Sequence, residues 1–288
     1  MEKYLTNALE CPVLKSRNEV IDCYRNGTVG KIKGELLFSE SILRWKADHL
    51  KGEFGHSLIS IHNKYDGKTF RFSGVSLKSL IAKLQDVTPN QIREMTSIQR
   101  RELYGVMNTR RLSKMQFVNN EFSDNFKHSF SFLWVGLSPG GLHCDFFDNI
   151  LLQLSGTKQI KIFPSCVSDL ISKDHYVSLP NPFNFFSEEN RNAFPWLDEL
   201  PYYDITINEG EAVVIPSAAY HAPIALTTNC VSINTFFTPK GDNYLSSEYA
   251  RKEDRYPWWF TNLCITLSKK MYDITGKALL KTGHYEVI

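Results

Sequence analysis

The chain has 288 residues, 42% of them hydrophobic and 13% aromatic, which suffices for one large domain with a substantial core. Its 33 Lys and Arg stand against 31 Asp and Glu, a formal net charge of +2, too balanced to mark the whole protein as a nucleic-acid binder. No apolar run reaches the ~18 residues of a membrane span. The opening MEKYLTNALECPVLKSRNE is charged and has no apolar stretch of a secretory signal. The six cysteines (Cys11, Cys23, Cys144, Cys166, Cys230 and Cys264) form no C-x-x-C pair, so neither a zinc knuckle nor a disulfide framework is indicated. Reduced thiols in a cytoplasmic protein are the expectation.

In chain order, residues 17–25 and 38–50 read as helices, the second opening after Ser39 and carrying Ile42, Leu43, Trp45, Ala47 and Leu50. Between them Val29–Lys33 reads as a short strand. Ser57–His62 and Thr69–Ser73 flank an Asp-Gly turn signal and predict a hairpin. Ser76–Leu84 predicts a helix with Leu77, Leu80, Ile81 and Leu84 on one face. Arg100, Arg101, Arg110, Arg111 and Lys114 form a local basic cluster, read as solvated surface.

From about Ser129 short β-rich runs take over: Ser129–Leu137, Leu142–Leu154, Lys158–Phe163, Ala212–Ile215 and Cys230–Thr238. Turns of Gly, Pro and Asn separate them, predicting an all-β barrel or sandwich. Residues 164–204 form a Pro- and aromatic-rich excursion long enough to be functional or to carry short helices. Beyond Gly241 the pattern turns helical, best over Trp258–Ile274.

The chemistry-bearing residues lie in the β-rich part. His143 and Asp145 form an H-x-D pair; on a strand, side chains two apart share a face, so both can reach one point while Cys144 points away. One imidazole and one carboxylate supply two ligands of a 2-His-1-carboxylate facial triad, which leaves positions on Fe(II) open. A lone H-x-D also recurs by chance, and a third ligand has to come from afar. Glu209 through His221 offers a turn, an apolar strand, a proline and then a histidine, although a single histidine is commonly just hydrogen-bonded. Alternation puts Lys158 on the face of Ile160 and Ile162, where its charge needs an anion unless the side chain snorkels to water.

Together these residues resemble the JmjC and cupin-like 2-oxoglutarate oxygenases, in particular the branch with the asparaginyl hydroxylase that inhibits hypoxia-inducible factor and related protein and tRNA hydroxylases. The likeness spans roughly residues 20–240. It rests on Leu133–Gly136 leading into His143-Cys144-Asp145, on the run from Asn149 through Lys158 to Phe163-Pro164, and on Glu209-Gly210-Glu211 followed by Ile215-Pro216 and His221. The resemblance implies that His143, Asp145 and His221 bind Fe(II). It implies that Lys158 and Tyr104 bind the distal carboxylate of 2-oxoglutarate, with Asn149 and Asn234 near the metal and the proximal carboxylate. Three features depart from the family: Gly140 stands where a Ser or Thr is common, which leaves Ser138 as the nearby hydroxyl; the loop from Leu137 to Leu142 is shortened; and Ala219-Tyr220 replaces an aromatic pair.

The implied fold is mainly β with α-helical flanks (α+β), built on a double-stranded β-helix, or jelly-roll, core. The implied organisation is an oxygenase domain over 1–240, with a helical and mixed part at 1–128 and the core at about 129–240, then a helical segment at 241–288. The face of Trp258, Trp259, Phe260, Leu263 and Leu267 in that segment is a homodimer contact or packs on its own barrel. The implied activity is hydroxylation of a C–H bond with Fe(II), 2-oxoglutarate and O2, releasing succinate and CO2. A peptide or protein side chain is the first substrate class, ahead of a small molecule or natural product. A tRNA substrate, N-methyl demethylation and a non-catalytic metal-binding cupin are the further alternatives. No membrane partner is expected, and a nucleic acid only under the tRNA alternative.

Overall fold

The computed structural model describes residues 7–65, 70–109, 126–138, 140–145, 147–172, 176–239 and 284–287. Sixteen strands are present among them: β1 (Ala8–Leu9), β2 (Val13–Leu14), β3 (Gly30–Lys33), β4 (Leu58–Tyr65), β5 (Phe70–Ser76), β6 (Tyr104–Asn108), β7 (Phe126–Gly136), β8 (Leu142–His143), β9 (Asp148–Ser155), β10 (Lys158–Phe163), β11 (Tyr176–Val177), β12 (Tyr202–Ile207), β13 (Glu211–Ile215), β14 (Tyr220–Ala225), β15 (Val231–Pro239) and β16 (His284–Val287). They make two mixed sheets. The smaller has the order β1-β12-β10-β14-β8-β11, and the larger β16-β5-β4-β6-β7-β15-β9-β13-β3-β2. This is a jelly-roll sandwich with helical flanks, as expected from the sequence. Strands β3 to β6, from the N-terminal part of the chain, extend the larger sheet.

Alternation along β9 shows how the layers are held. Ile150, Leu152 and Leu154 join the core that packs the larger sheet against the N-terminal helices, while Leu151 points to the opposite core with Ile160, Ile162, Ile205, Ile207, Val213 and Ile215. The whole strand is buried because both its faces are covered, and its polar residues Asp148, Asn149, Gln153 and Ser155 are buried with it. A third cluster, with Phe163, Phe185, Leu197, Tyr202 and Tyr220, anchors the 164–204 excursion. That excursion carries two short α-helices, Ser168–Ile171 and Glu188–Ala193, and strand β11.

The helices are α1 (Arg17–Asn26), α2 (Glu40–Leu43), α3 (Ala47–Glu53), α4 (Leu77–Gln85), α5 (Pro89–Glu94), α6 (Ser97–Glu102), α7 (Ser168–Ile171) and α8 (Glu188–Ala193). Helix α1 is capped as its sequence suggests: Ser16 accepts from the Glu19 amide, and Gly27 closes the C-terminus at φ 64°. Helix α4 buries Leu77, Leu80, Ile81 and Leu84, the predicted face. The helix expected over 38–50 is two short ones, broken between Leu43 and Ala47. Ile42, Trp45 and Leu50 nevertheless all enter one core. The expected strand from Leu142 to Leu154 is likewise two, β8 and β9, in different sheets. The helix expected over Trp258–Ile274, with its contact face, lies outside the described residues, as do Arg110, Arg111 and Lys114. Among the described residues no helix is long and apolar enough to cross a membrane.

Arg100 corrects the surface reading of the basic cluster. It is 5% exposed, donates to the carbonyls of Ala225 (3.1 Å) and Ile92 (2.6 Å), and lies over the Phe183 ring at 4.4 Å. Its role follows from the edge of β14. There β8 pairs only at His143 opposite His221, so the following carbonyls need other donors. Ser138 serves Pro223 (2.5 Å) and Arg100 serves Ala225. Arg100→Met keeps most of the stem and removes both donors. It is expected to cost about 3 kcal/mol in urea unfolding, since two buried carbonyls lose charge-assisted partners, whereas exposed Arg93→Met should change stability by under about 0.5 kcal/mol. Equal midpoints for the two variants would show that the carbonyls find water instead.

Candidate metal centre

Three segments converge at one end of the sandwich. His143 closes β8, Asp145 follows in the connection to β9, and His221 is the second residue of β14, directly opposite His143. The imidazole centroids are 4.3 Å apart, the ligating atoms of all three side chains lie within 4.8 Å of one another, and Asp145 Oδ2 is 3.6 Å from His221 Nε2. Asp145 is not on a strand, so its convergence with His143 does not come from the shared strand face that the H-x-D spacing suggests. It comes from the turn out of β8, fixed where the Ala218 amide donates to the Asp145 carbonyl at 2.9 Å.

The turn into β8 depends on Gly140 and Gly141, at φ +73° and +131°. A Cβ at either position would also come within 3.2 Å of Pro182 or Tyr176. This backbone requirement explains why the position three before His143 holds no hydroxyl residue.

The ring nitrogens are oriented for ligation. His143 Nδ1 faces the Gly141 carbonyl at 3.2 Å and His221 Nδ1 faces the Ala219 carbonyl at 3.0 Å. A carbonyl only accepts, so in each neutral ring the proton sits on Nδ1 and Nε2 keeps its lone pair. Burial, helped by the neighbouring His143 and opposed by Asp145, lowers the His221 pKa to about 4. The ring is therefore neutral near pH 7. His221 is buried while His143 and Asp145 are half-buried, which leaves the centre open on their side.

Two imidazoles and one carboxylate form a donor set that could hold a metal ion of the facial-triad kind. Asn149 adds a second sign. Its amide nitrogen donates to Asp145 Oδ2 at 3.1 Å, and its Oδ1 is fully buried with no hydrogen-bond partner. A buried orphan acceptor beside three convergent ligands fits a bound water or ligand donor there.

Lys158 takes the inward one of its two readings. It is 2% exposed, and its Nζ donates to Ser232 Oγ at 2.6 Å across the space between the sheets. Burial depresses the ammonium pKa, with the Cys230 thiol acting in the opposite sense. Among the described residues no carboxylate pairs with it. Tyr104 begins β6 and stacks on Trp134 at 5.2 Å between centroids. Burial raises the Tyr104 pKa, so the hydroxyl stays protonated. Asn234 lies on β15 between Leu151 and Phe132, two residues from Ser232 and on its face. The seven candidate site residues thus lie on strands of the sandwich or, for Asp145, in the connection between two of them. Ser232 and Trp134 were not singled out. Their signal was strand alternation, which places Ser232 with Asn234 and Trp134 with Phe132.

A family model described as a cupin-like domain matches residues 31–243. No curated protein matches the chain. The match takes in β3 to β15, including all three candidate ligands and Lys158, and it covers well over half of the sequence. The chain belongs to the family of proteins with a cupin-like domain.

Proposed function

We propose that the protein is an Fe(II)- and 2-oxoglutarate-dependent dioxygenase that hydroxylates a C–H bond, with a peptide or protein side chain as the substrate class. The observation that carries this reading is a pairing of two features inside one sandwich. A His-Asp-His donor set stands at one end, and a buried lysine without a carboxylate partner stands on the strand beside it. The motifs that resemble the asparaginyl hydroxylase branch support the protein-directed substrate.

In this reading His143, Asp145 and His221 hold Fe(II), which with 2-oxoglutarate and O2 supplies the oxidising chemistry while succinate and CO2 are released. The chain's own work is positional. Lys158 offers its ammonium to the distal carboxylate, and the Tyr104 hydroxyl is a further neutral donor. Asn149 orients Asp145 through its amide, and its free Oδ1 accepts from a group near the metal. Asn234 faces the proximal carboxylate. The apolar rings of Trp134, Phe132 and Phe236, in contact with one another along one face of the larger sheet, keep water from the reacting end. Succinate release from 2-oxoglutarate with Fe(II), screened against peptide, metabolite and RNA pools, tests the class and the substrate together. Tight metal binding with no turnover on any pool would favour a non-catalytic member of the family.

Two outcomes are expected of variants. His143→Ala and Asp145→Ala should each abolish tight Fe(II) binding and turnover, because two remaining ligands do not hold the ion against water. An Asp145→Ala protein with unchanged iron occupancy would identify a different carboxylate. Lys158→Met should leave iron affinity nearly unchanged and weaken 2-oxoglutarate by roughly 30–150-fold, equivalent to ~2–3 kcal/mol for a charge-assisted bond. Tyr104→Phe should produce a smaller loss. The readout is charge-transfer absorbance as 2-oxoglutarate is titrated into the Fe(II)-loaded proteins under nitrogen. Wild-type affinity in Lys158→Met would place the anion pocket elsewhere.

A further inference from the structure

Asp148, the first residue of β9, is a carboxylate that none of the roles above uses. It is 2% exposed, and among the described residues no cation pairs with it. Burial pushes its pKa up to about 7, opposed by the Ser217 amide and hydroxyl. The amide is the clear partner: Ser217 N–H donates to Asp148 Oδ1 at 3.0 Å, whereas the Ser217 hydroxyl is buried nearby without completing a hydrogen bond. An unpaired buried carboxylate is destabilising compared with an apolar side chain of the same size. Its position therefore needs a reason.

The reason lies in the turn it holds. Pairing of β9 with β13 ends at Asn149 opposite Ile215, and the chain then turns through Pro216, Ser217, Ala218 and Ala219 before β14 delivers His221. Ala218 has φ +64°, the single positive value at a non-glycine among the described residues. For alanine that conformation is disfavoured, and it persists only when neighbours impose it. Both neighbours belong to the segment carrying the other ligands. Asp148 takes the Ser217 amide, and the Asp145 carbonyl takes the Ala218 amide at 2.9 Å. Ser165 Oγ holds the Ser217 carbonyl at 2.8 Å from the far side. The next carbonyl, that of Ala219, orients the His221 ring.

We infer that Asp148 is a positioning residue of the metal centre: its carboxylate clamps the 216–219 turn to the segment between β8 and β9 and so sets where His221 stands relative to His143 and Asp145. The inference rests on the metal-binding reading. The clamp acts beyond the last paired residues of β9 and β13, so the sheet does not require it. It adds a buried hydrogen bond to the contacts that set the distance between ligands from two strands.

The test uses Co(II), whose visible absorption reports coordination geometry without turnover. Asp148→Leu replaces the carboxyl with an apolar side chain of similar length and leaves the Ser217 amide unpaired. Asp148→Asn keeps an acceptor oxygen at the same place. The expected result is an altered Co(II) spectrum and Co(II) affinity at least about tenfold weaker in Asp148→Leu, with affinity within about threefold and a wild-type spectrum in Asp148→Asn. Arg100→Met serves as a destabilised control remote from the turn and should keep the wild-type spectrum. Hydrogen exchange at the Ser217 amide in the metal-free protein should accelerate in Asp148→Leu alone. Should Asp148→Leu fail to fold, Asp148→Ser, too short to reach the amide, takes its place with the same expectation. A wild-type spectrum and affinity in these variants would overturn the clamp while leaving the triad intact. Wild-type protein whose Co(II) binding is indifferent to His143→Ala would overturn the metal reading and the clamp with it.

Discussion

A single register position, His143 opposite His221, joins β8 to β14, and the site is organised around it. Two histidines 78 positions apart in the sequence are brought face to face because both strands belong to the smaller sheet. β14 itself is held along its whole length by β10. On the other edge β8 is too short to do the same, so side chains take over where its backbone stops. Ser138 and Arg100 close the remaining carbonyls of β14. Pro223 falls on this edge, where its missing N–H breaks no ladder bond. Strand shortness is thus what frees the chain after His143 to turn and present Asp145 to the same point.

The space between the sheets carries an unusual load of polar groups for a protein core. Lys158, Asn149 and Gln153 are all buried, and both Asn149 Oδ1 and Gln153 Oε1 lack partners. Such groups lower stability unless paired. They are carried by β9 and β10, which also supply Leu151, Ile160 and Ile162 to the apolar cluster between the sheets. The polar residues gather near the two ends of this cluster, one by the triad and one by Lys158. Stability is held by the apolar middle and by the separate core under the N-terminal helices, which leaves the ends free to carry groups that only a ligand satisfies.

Much of this was legible in the sequence, for identifiable reasons. Helix α1 and the apolar face of α4 follow from caps and a 3.6-residue period, and Lys158 on the face of Ile160 follows from alternation. Helices α5 and α6 carry Thr-x-x-Gln capping boxes, Thr88 with Gln91 and Thr96 with Gln99, but they are too short to show a period. The burial of Arg100 is illegible because it depends on α6 meeting the unpaired edge of β14, a contact between residues 125 apart. The triad shows both sides. The residues were identifiable from motif order, yet the strand geometry inferred from H-x-D was not the one used. Asp145 is placed by a backbone bond to Ala218, and no local pattern reports that bond.

Strand geometry also bears on which anion suits Lys158. In the pairing of β10 with β14, His221 stands opposite Ile162 and Ala225 opposite Lys158. At about 3.3 Å per residue the four intervening steps separate the metal rung from the lysine rung by roughly 13 Å. The flexible lysine stem shortens that gap without closing it, since its ammonium is drawn across to Ser232. A monoanion small enough to sit on the metal would leave the ammonium unpaired. An anion on the lysine alone would leave the metal end to water. A molecule with an acid group at each end satisfies both, and the Ser232 hydroxyl, which accepts from Lys158 and keeps its own proton, adds a neutral donor rather than a second charge. On the proposed reading, a slender dicarboxylate such as 2-oxoglutarate, held by one cation and neutral hydroxyls, meets both requirements.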